Sequence, residues 1–226
     1  MRYWILLLGS ACGTMNSARP LDQGQHAVGL TVGGPMIEFP RKSKSYIPLP
    51  NAVLEGRSGM APIKGKNWDI NYGINLTAIP FDQIGLHTGA SFQLMKQNGN
   101  IPAVSVGNRL FLYSNHLSST TIDDGKAFWA CNEIVTTASW KVGHQMVYTG
   151  VSQYFDLSQP SATITPFLGA EFFNTGVKNG FVLQFEVRNY ALGRNPTFDF
   201  LEWNTPFGSG AFGGNLGLTY RFGGAK

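Results

Sequence analysis

The side chains best equipped for chemistry in this 226-residue chain are few. His116 falls near Asp123 and Asp124, an acid–base or metal-like grouping. His87 shares the phase of an alternating segment with Asp69 and Glu133, either of which it could hydrogen-bond. Each has a plainer reading, a solvated loop for His116 and an interior residue among amides for His87. No Gly-x-Ser-x-Gly elbow and no His-Glu-x-x-His stretch occurs. No Cys-x-x-Cys or His-rich spacing occurs either. The expectation is therefore no catalytic residue, no metal and no cofactor. A larger set of charges stands out by its phase: Glu55, Arg57, Asp69, Arg109, Glu133, Lys141, Glu171, Glu186, Arg188 and Arg221. Five acids and five bases on one face can neutralise one another in a confined space, because an unpaired buried charge is costly.

The elements that carry these charges alternate with period two. Trp68, Ile70, Tyr72, Ile74 and Leu76 fall on one face, with Asp69, Asn71, Gly73, Asn75 and Thr77 on the other. Phe181, Leu183, Phe185 and Val187 alternate in the same way with Val182, Gln184, Glu186 and Arg188. Such segments are expected at 25–35, 52–61, 67–78, 83–95, 103–113, 127–142, 145–155, 163–173, 180–190 and 212–222. Nothing comparable appears at helical spacing, so the fold class is all-β. Most segments are about ten residues long, the length that crosses a bilayer at a tilt. Gaps after even-numbered segments run from 2 to 7 residues, and those after odd-numbered ones from 4 to 21.

Composition decides between a membrane and a soluble barrel. Charged residues make up only 13 % of the chain, hydrophobic ones 43 %, and there are 28 glycines. The longest clean apolar run, Trp4–Leu8, is far short of the roughly 18 residues of a spanning helix. Every strand charge lies on the polar face. That face is otherwise Gly, Ser, Thr, Asn and Gln, too poor in charge for the whole exterior of a soluble protein. Residues 25–222 resemble a small bacterial outer-membrane β-barrel, and Leu216–Phe222 resembles the C-terminal assembly signal of that family, followed here by Gly223–Lys226. The resemblance implies a closed up-and-down antiparallel transmembrane barrel of about ten strands, eight being the alternative, in the outer membrane of a Gram-negative bacterium. Its short turns would face the periplasm and its longer loops the outside. Trp68, Phe81, Trp140, Phe155, Tyr190 and Phe222 fit interfacial girdles.

Residues 1–11 read as a signal segment, and small residues before Cys12 resemble the lipobox of bacterial lipoproteins, which implies lipidation of Cys12. The plainer reading is a signal peptide with an incidental Cys12, and a disulfide between Cys12 and Cys131 is a further option for which a cysteine inside a signal segment is poorly placed. Residues 12–24 are then a short periplasmic linker and 25–226 one barrel domain. The preferred function is a non-enzymatic barrel with a narrow or plugged lumen, acting as scaffold, adhesin-like protein or subunit of an envelope complex. An outer-membrane enzyme working at the external rim and a soluble periplasmic lipid-binding barrel are the alternatives. Expected partners are outer-membrane lipid, lipopolysaccharide through Arg41, Lys42 and Lys44, and a protein at the external loop 191–211, which carries Phe198, Phe200, Trp203 and Phe207. The net charge of +4 comes without a basic stripe interleaved with aromatics, so nucleic acid is not expected.

Overall fold

A computed structural model describes residues 14–39, 45–48, 51–81, 83–114, 128–157, 161–173, 179–193, 202–203 and 205–224. The alternating segments become strands β1 (Gln25–Phe39), β2 (Ser45–Pro48), β3 (Asn51–Gly59), β4 (Trp68–Asn75), β5 (Ile84–Met95) and β6 (Ala103–Ser114). They continue as β7 (Phe128–Val142), β8 (Gln145–Asp156), β9 (Ser161–Phe173), β10 (Gly180–Tyr190), β11 (Glu202–Trp203) and β12 (Ala211–Gly223). Strands β3 to β10 each pair antiparallel with the next, and β10 pairs with β12. Strand β1 lies antiparallel between β12 and β3, from Gln25↔Gly223 and His26↔Ser58 onward, and closes the sheet. Ten strands thus form a barrel with no free edge, which removes the unpaired backbone groups of an open sheet.

Two features depart from the sequence expectation. Strand β1 runs on to Phe39, where β2 and the two-residue β11 flank it beyond the barrel rim. Leu76 and Thr77, expected to finish β4, instead begin a 3₁₀ turn, Leu76–Phe81. The Asn75 carboxamide oxygen accepts from Thr77 N at 3.0 Å and turns the chain out of the ladder.

The alternation sorts side chains as the phase requires. In β10, Leu183 and Phe185 are 39 % and 47 % exposed, whereas Gln184 and Glu186 are 7 % and 2 %. Val28, Leu30, Leu54, Ile74, Leu86, Val151, Leu168, Leu216 and Leu218 join the apolar exterior. Asn108 and Asn132 also face outward, but their carboxamides bond each other at 3.0 and 3.2 Å, satisfying groups that an apolar surround would penalise. Of the girdle aromatics, Trp68 and Trp140 donate their indole N–H groups to turn carbonyls, Ala61 O at 2.7 Å and Asn100 O at 3.0 Å. Phe155 is half-buried and Phe222 exposed. Tyr190 departs from the girdle. It is 4 % exposed and faces inward, where its hydroxyl and the Asn215 carboxamide bond each other. Nothing is described of the Phe81 side chain.

Candidate functional site

The polar faces of the ten strands line a lumen, and the lumen is occupied by the chain's own N-terminal segment. Residues 14–22 descend through it from near the end bearing the longer loops to the end bearing the short turns. Thr14, Met15, Asn16, Ala18 and Leu21 are all buried. Of the stretch expected to be a periplasmic linker, residues 12–24, this part is internal. The physical reason lies in its backbone, whose polar groups find partners among the charges of the wall.

At the turn end, Leu21 N donates to Asp69 Oδ2 at 2.8 Å, and Arg57, itself paired with Asp69, donates to Arg19 O at 3.0 Å. One step up, Ala18 N donates to Glu171 Oε1 at 2.8 Å. Glu171 also accepts from Gln184 Nε2 at 3.0 Å and pairs with Arg221 at 2.7 Å. Next, Asn16 N donates to Glu186 Oε2 at 3.2 Å, while the other oxygen of Glu186 pairs with Arg188. At the top, Arg188 and Arg109 both donate to Thr14 O, and Arg109 adds bonds to Thr14 Oγ1 and Asn16 Oδ1. Arg109 Nε lies 3.3 Å from Glu133 Oε2, and Arg188 Nη1 donates to the Tyr154 hydroxyl at 3.3 Å. Three carboxylates therefore receive backbone N–H groups, and three guanidinium groups reach backbone carbonyls. Hydrogen bonds to charged groups are the stronger kind.

Packing completes the fit. Ala18 sits fully buried among Val135, Met146, Tyr148 and Phe167. Above the segment, Phe111, Tyr113, Cys131 and Tyr154 form a second apolar cluster with Ala78 of the 3₁₀ turn, and Trp129 packs against it. Two wall glycines make room. A Cβ on Gly59 would stand 1.9 Å from Asp22 O, and one on Gly217 would stand 2.2 Å from Met15 Cε. A cavity of about 20 Å³ remains beside Met15 and Asn16, space for about one water.

The expected charge network divides on this geometry. Arg57, Asp69, Arg109, Glu133, Glu171, Glu186, Arg188 and Arg221 are brought together as four ion pairs. The pairs run along the wall, between β3 and β4, between β6 and β7, within β10, and from β12 past β10 to β9. Mutual neutralisation thus occurs between neighbours along the wall, and the N-terminal segment fills the space across which facing charges would meet. Glu55 lines the small cavity, half-buried and in the field of Arg109 and Arg57, without an ion pair among the described residues. Lys141 departs from the network. It is exposed at the turn end of β7, past the last buried level. His87 is buried, but its ring packs tilted against that of Phe111 with centroids 5.5 Å apart, and its Nε2 has no partner among the described residues, neither Asp69 nor Glu133. Cys131 is a free, buried thiol, and Cys12 lies outside the described residues. So do Arg41, Lys42 and Lys44, the grouping of His116 with Asp123 and Asp124, and Phe198 and Phe200 of the loop 191–211. Phe207 of that loop is 67 % exposed, its ring 6.4 Å from that of Phe212.

No protein-family model matches the sequence, and no curated protein is similar to it in sequence. Solved structures are similar in fold. The translocator domain of the autotransporter NalP from Neisseria meningitidis is 10 % identical, with 98 % of this chain and 94 % of that one covered, at a TM-score of 0.41. Ail, the attachment invasion locus protein of Yersinia pestis, in complex with the heparin analogue sucrose octasulfate, is 10 % identical over 88 % of this chain and 99 % of that one, at a TM-score of 0.28. By its own strand pairing the chain is a closed ten-stranded antiparallel β-barrel with apolar side chains outside and charges inside.

Proposed function

We propose that this protein is an integral outer-membrane barrel of a Gram-negative bacterium, sealed by its own N-terminal segment. It works as a non-enzymatic scaffold, adhesin-like protein or envelope subunit, not as a pore. The carrying observation is the seated segment, whose backbone is bonded at each level by Asp69, Glu171, Glu186, Arg57, Arg109 and Arg188. The apolar outer face supports residence in lipid. A soluble lipid-binding barrel needs an apolar cavity inside, and here the interior is charged and filled. The short turns would face the periplasm and the longer loops the exterior, as in bacterial outer-membrane barrels. In that orientation Arg41, Lys42 and Lys44 are available to lipopolysaccharide phosphates, and the loop 191–211 to a protein partner.

Lipidation of Cys12 competes with this seating. One residue, Gly13, separates Cys12 from Thr14, two steps or about 7 Å of extended chain, and Thr14 is held inside the wall near its loop end. Acyl chains on Cys12 would reach the periplasmic leaflet only with the segment withdrawn. Labelled palmitate on Cys12 would report that withdrawn state, and Cys12→Ser is its control.

Conductance tests the seal. The full chain in planar bilayers is expected to stay closed, and a variant lacking residues 14–22 to open in discrete steps. Circular dichroism checks that the shortened chain keeps its strands, and full-length Ala18→Pro, which removes the N–H bound by Glu171, provides a second unseated variant. Equal conductance of full-length and shortened barrels would refute the reading.

A further inference from the structure

Where the N-terminal segment leaves the lumen at the turn end, a cavity of about 620 Å³ opens between residues 19–22, the turns around Gln97 and His144, and the last residues of β9 and β12. Its size falls in the range of small-molecule and peptide-end pockets. Its charge is lopsided. Arg19, Lys96, Lys141 and Arg221 line it against the single acid Asp22, with His144 beside them. Arg221 is neutralised by Glu171 at 2.7 Å. Arg19, Lys96 and Lys141 make no ion pair among the described residues.

Arg19 is fixed in place without an ion pair among the described residues, in the field of Glu171, which is already paired with Arg221. Its Nε donates to Ser139 Oγ at 2.9 Å, and its Nη2 reaches Gln97 Oε1. Gln97 is itself held by Lys141 N at 2.8 Å. The third guanidinium nitrogen, Nη1, has no partner among the described residues. A pre-oriented Arg with a free guanidinium edge beside two unpaired lysines is a receptor for anions. The rest of the lining narrows the class. Met146 and Phe173 supply apolar wall, and Gln25 and Asn67 supply amides. Gln93, 6 % exposed in the same wall, keeps its carboxamide oxygen without a partner among the described residues. A peptide brings carboxylates and N–H donors together with apolar side chains for Met146 and Phe173, whereas inorganic phosphate brings O–H donors but no apolar surface.

We propose that this vestibule binds a short peptide carrying two or more free carboxylates, held by Arg19, Lys96 and Lys141. Its periplasmic location rests on the orientation proposed above, whereas binding is a property of the isolated barrel and stands or falls separately. Two sources carry this chemistry in that compartment, the stem peptides of the cell wall and the acidic tail of a protein.

Calorimetric titration of the full-length barrel in zwitterionic micelles tests it. The probes are the tripeptide Glu-Glu-Glu, a synthetic stem tetrapeptide, Gln-Gln-Gln and inorganic phosphate. One-to-one binding of either acidic peptide, weakening with added salt, is expected; the tighter of the two identifies the source. The Lys96→Gln/Lys141→Gln double variant should bind roughly ten-fold more weakly, as the loss of two exposed ion pairs implies. Both lysines are exposed, Lys96 just after β5 and Lys141 at the end of β7, and circular dichroism checks the fold; single Lys96→Gln serves if the double variant fails it. Any of four results overturns the proposal: no saturation by either acidic peptide, equal binding of Gln-Gln-Gln, unchanged affinity in a folded lysine variant, or displacement of the peptide by phosphate at comparable concentration.

Discussion

The wall and the segment inside it satisfy their backbones in opposite ways. Strands of the wall pair N–H with C=O across neighbours, from Gln25↔Gly223 round to His26↔Ser58, and their side chains are left to face lipid or lumen. Residues 14–22 have no ladder at all. The N–H groups of Leu21, Ala18 and Asn16 go to Asp69, Glu171 and Glu186, and the carbonyls of Thr14 and Arg19 to arginines. A ladder tolerates many side-chain changes because the backbone does the pairing. The segment depends on particular charged side chains, so single substitutions in the lumen should act on it far more selectively than on the wall.

The largest effect is expected at Arg188, which is 1 % exposed, pairs with Glu186 and donates to Thr14 O. Arg188→Met leaves Glu186 buried without its partner and should cost about 3–5 kcal/mol. Adding Glu186→Gln should recover part of that loss, as read by denaturant unfolding in lipid vesicles. Next comes the comparison of neighbours on β10. Leu183→Arg places a cation on the lipid face at a cost of about 2–4 kcal/mol. Gln184→Arg, whose side chain replaces one already bonded to Glu171 at 3.0 Å, should cost less. The reverse order would mean that β10 faces the other way. The smallest pair concerns the glycines. Gly59→Ala meets a backbone oxygen, Asp22 O, and should cost about 1–3 kcal/mol as an overpacking change. Gly217→Ala meets the flexible end of Met15 and should cost less. Limited proteolysis of residues 14–24 in the folded barrel would show Gly59→Ala releasing the segment first.

Much of the wall is legible in the sequence because facing follows from parity. Once Phe185 is outward, Glu186 and Arg188 must be inward, and one periodic signal fixes the surroundings of an entire strand. Strand ends are read nearly as well, as at 180–190, except where a side chain competes with the ladder, as Asn75 does. The segment is not legible by the same logic. Thr14 to Leu21 has no period, and its partners are remote: Thr14 and Arg188 are 174 positions apart, Ala18 and Glu171 153. A balanced set of lumen charges signals confinement and mutual neutralisation. It does not say whether the groups bridging the lumen are other side chains or a backbone. Lys141 escapes parity for a related reason: it falls on the lumen phase, but β7 has already passed its last buried level, at Ser139, when it is reached.

The seated segment is tested most directly by amide hydrogen exchange of the folded, full-length barrel, resolved at Asn16, Ala18 and Leu21. These three N–H groups have no backbone acceptor and are held by Glu186, Glu171 and Asp69. Protection comparable to that of wall residues such as Val182 and Leu183 is expected, falling selectively at Ala18 in Glu171→Gln and at Leu21 in Asp69→Asn. Exchange of all three at unfolded-chain rates, with the wall still protected, would contradict a lumen sealed by residues 14–22.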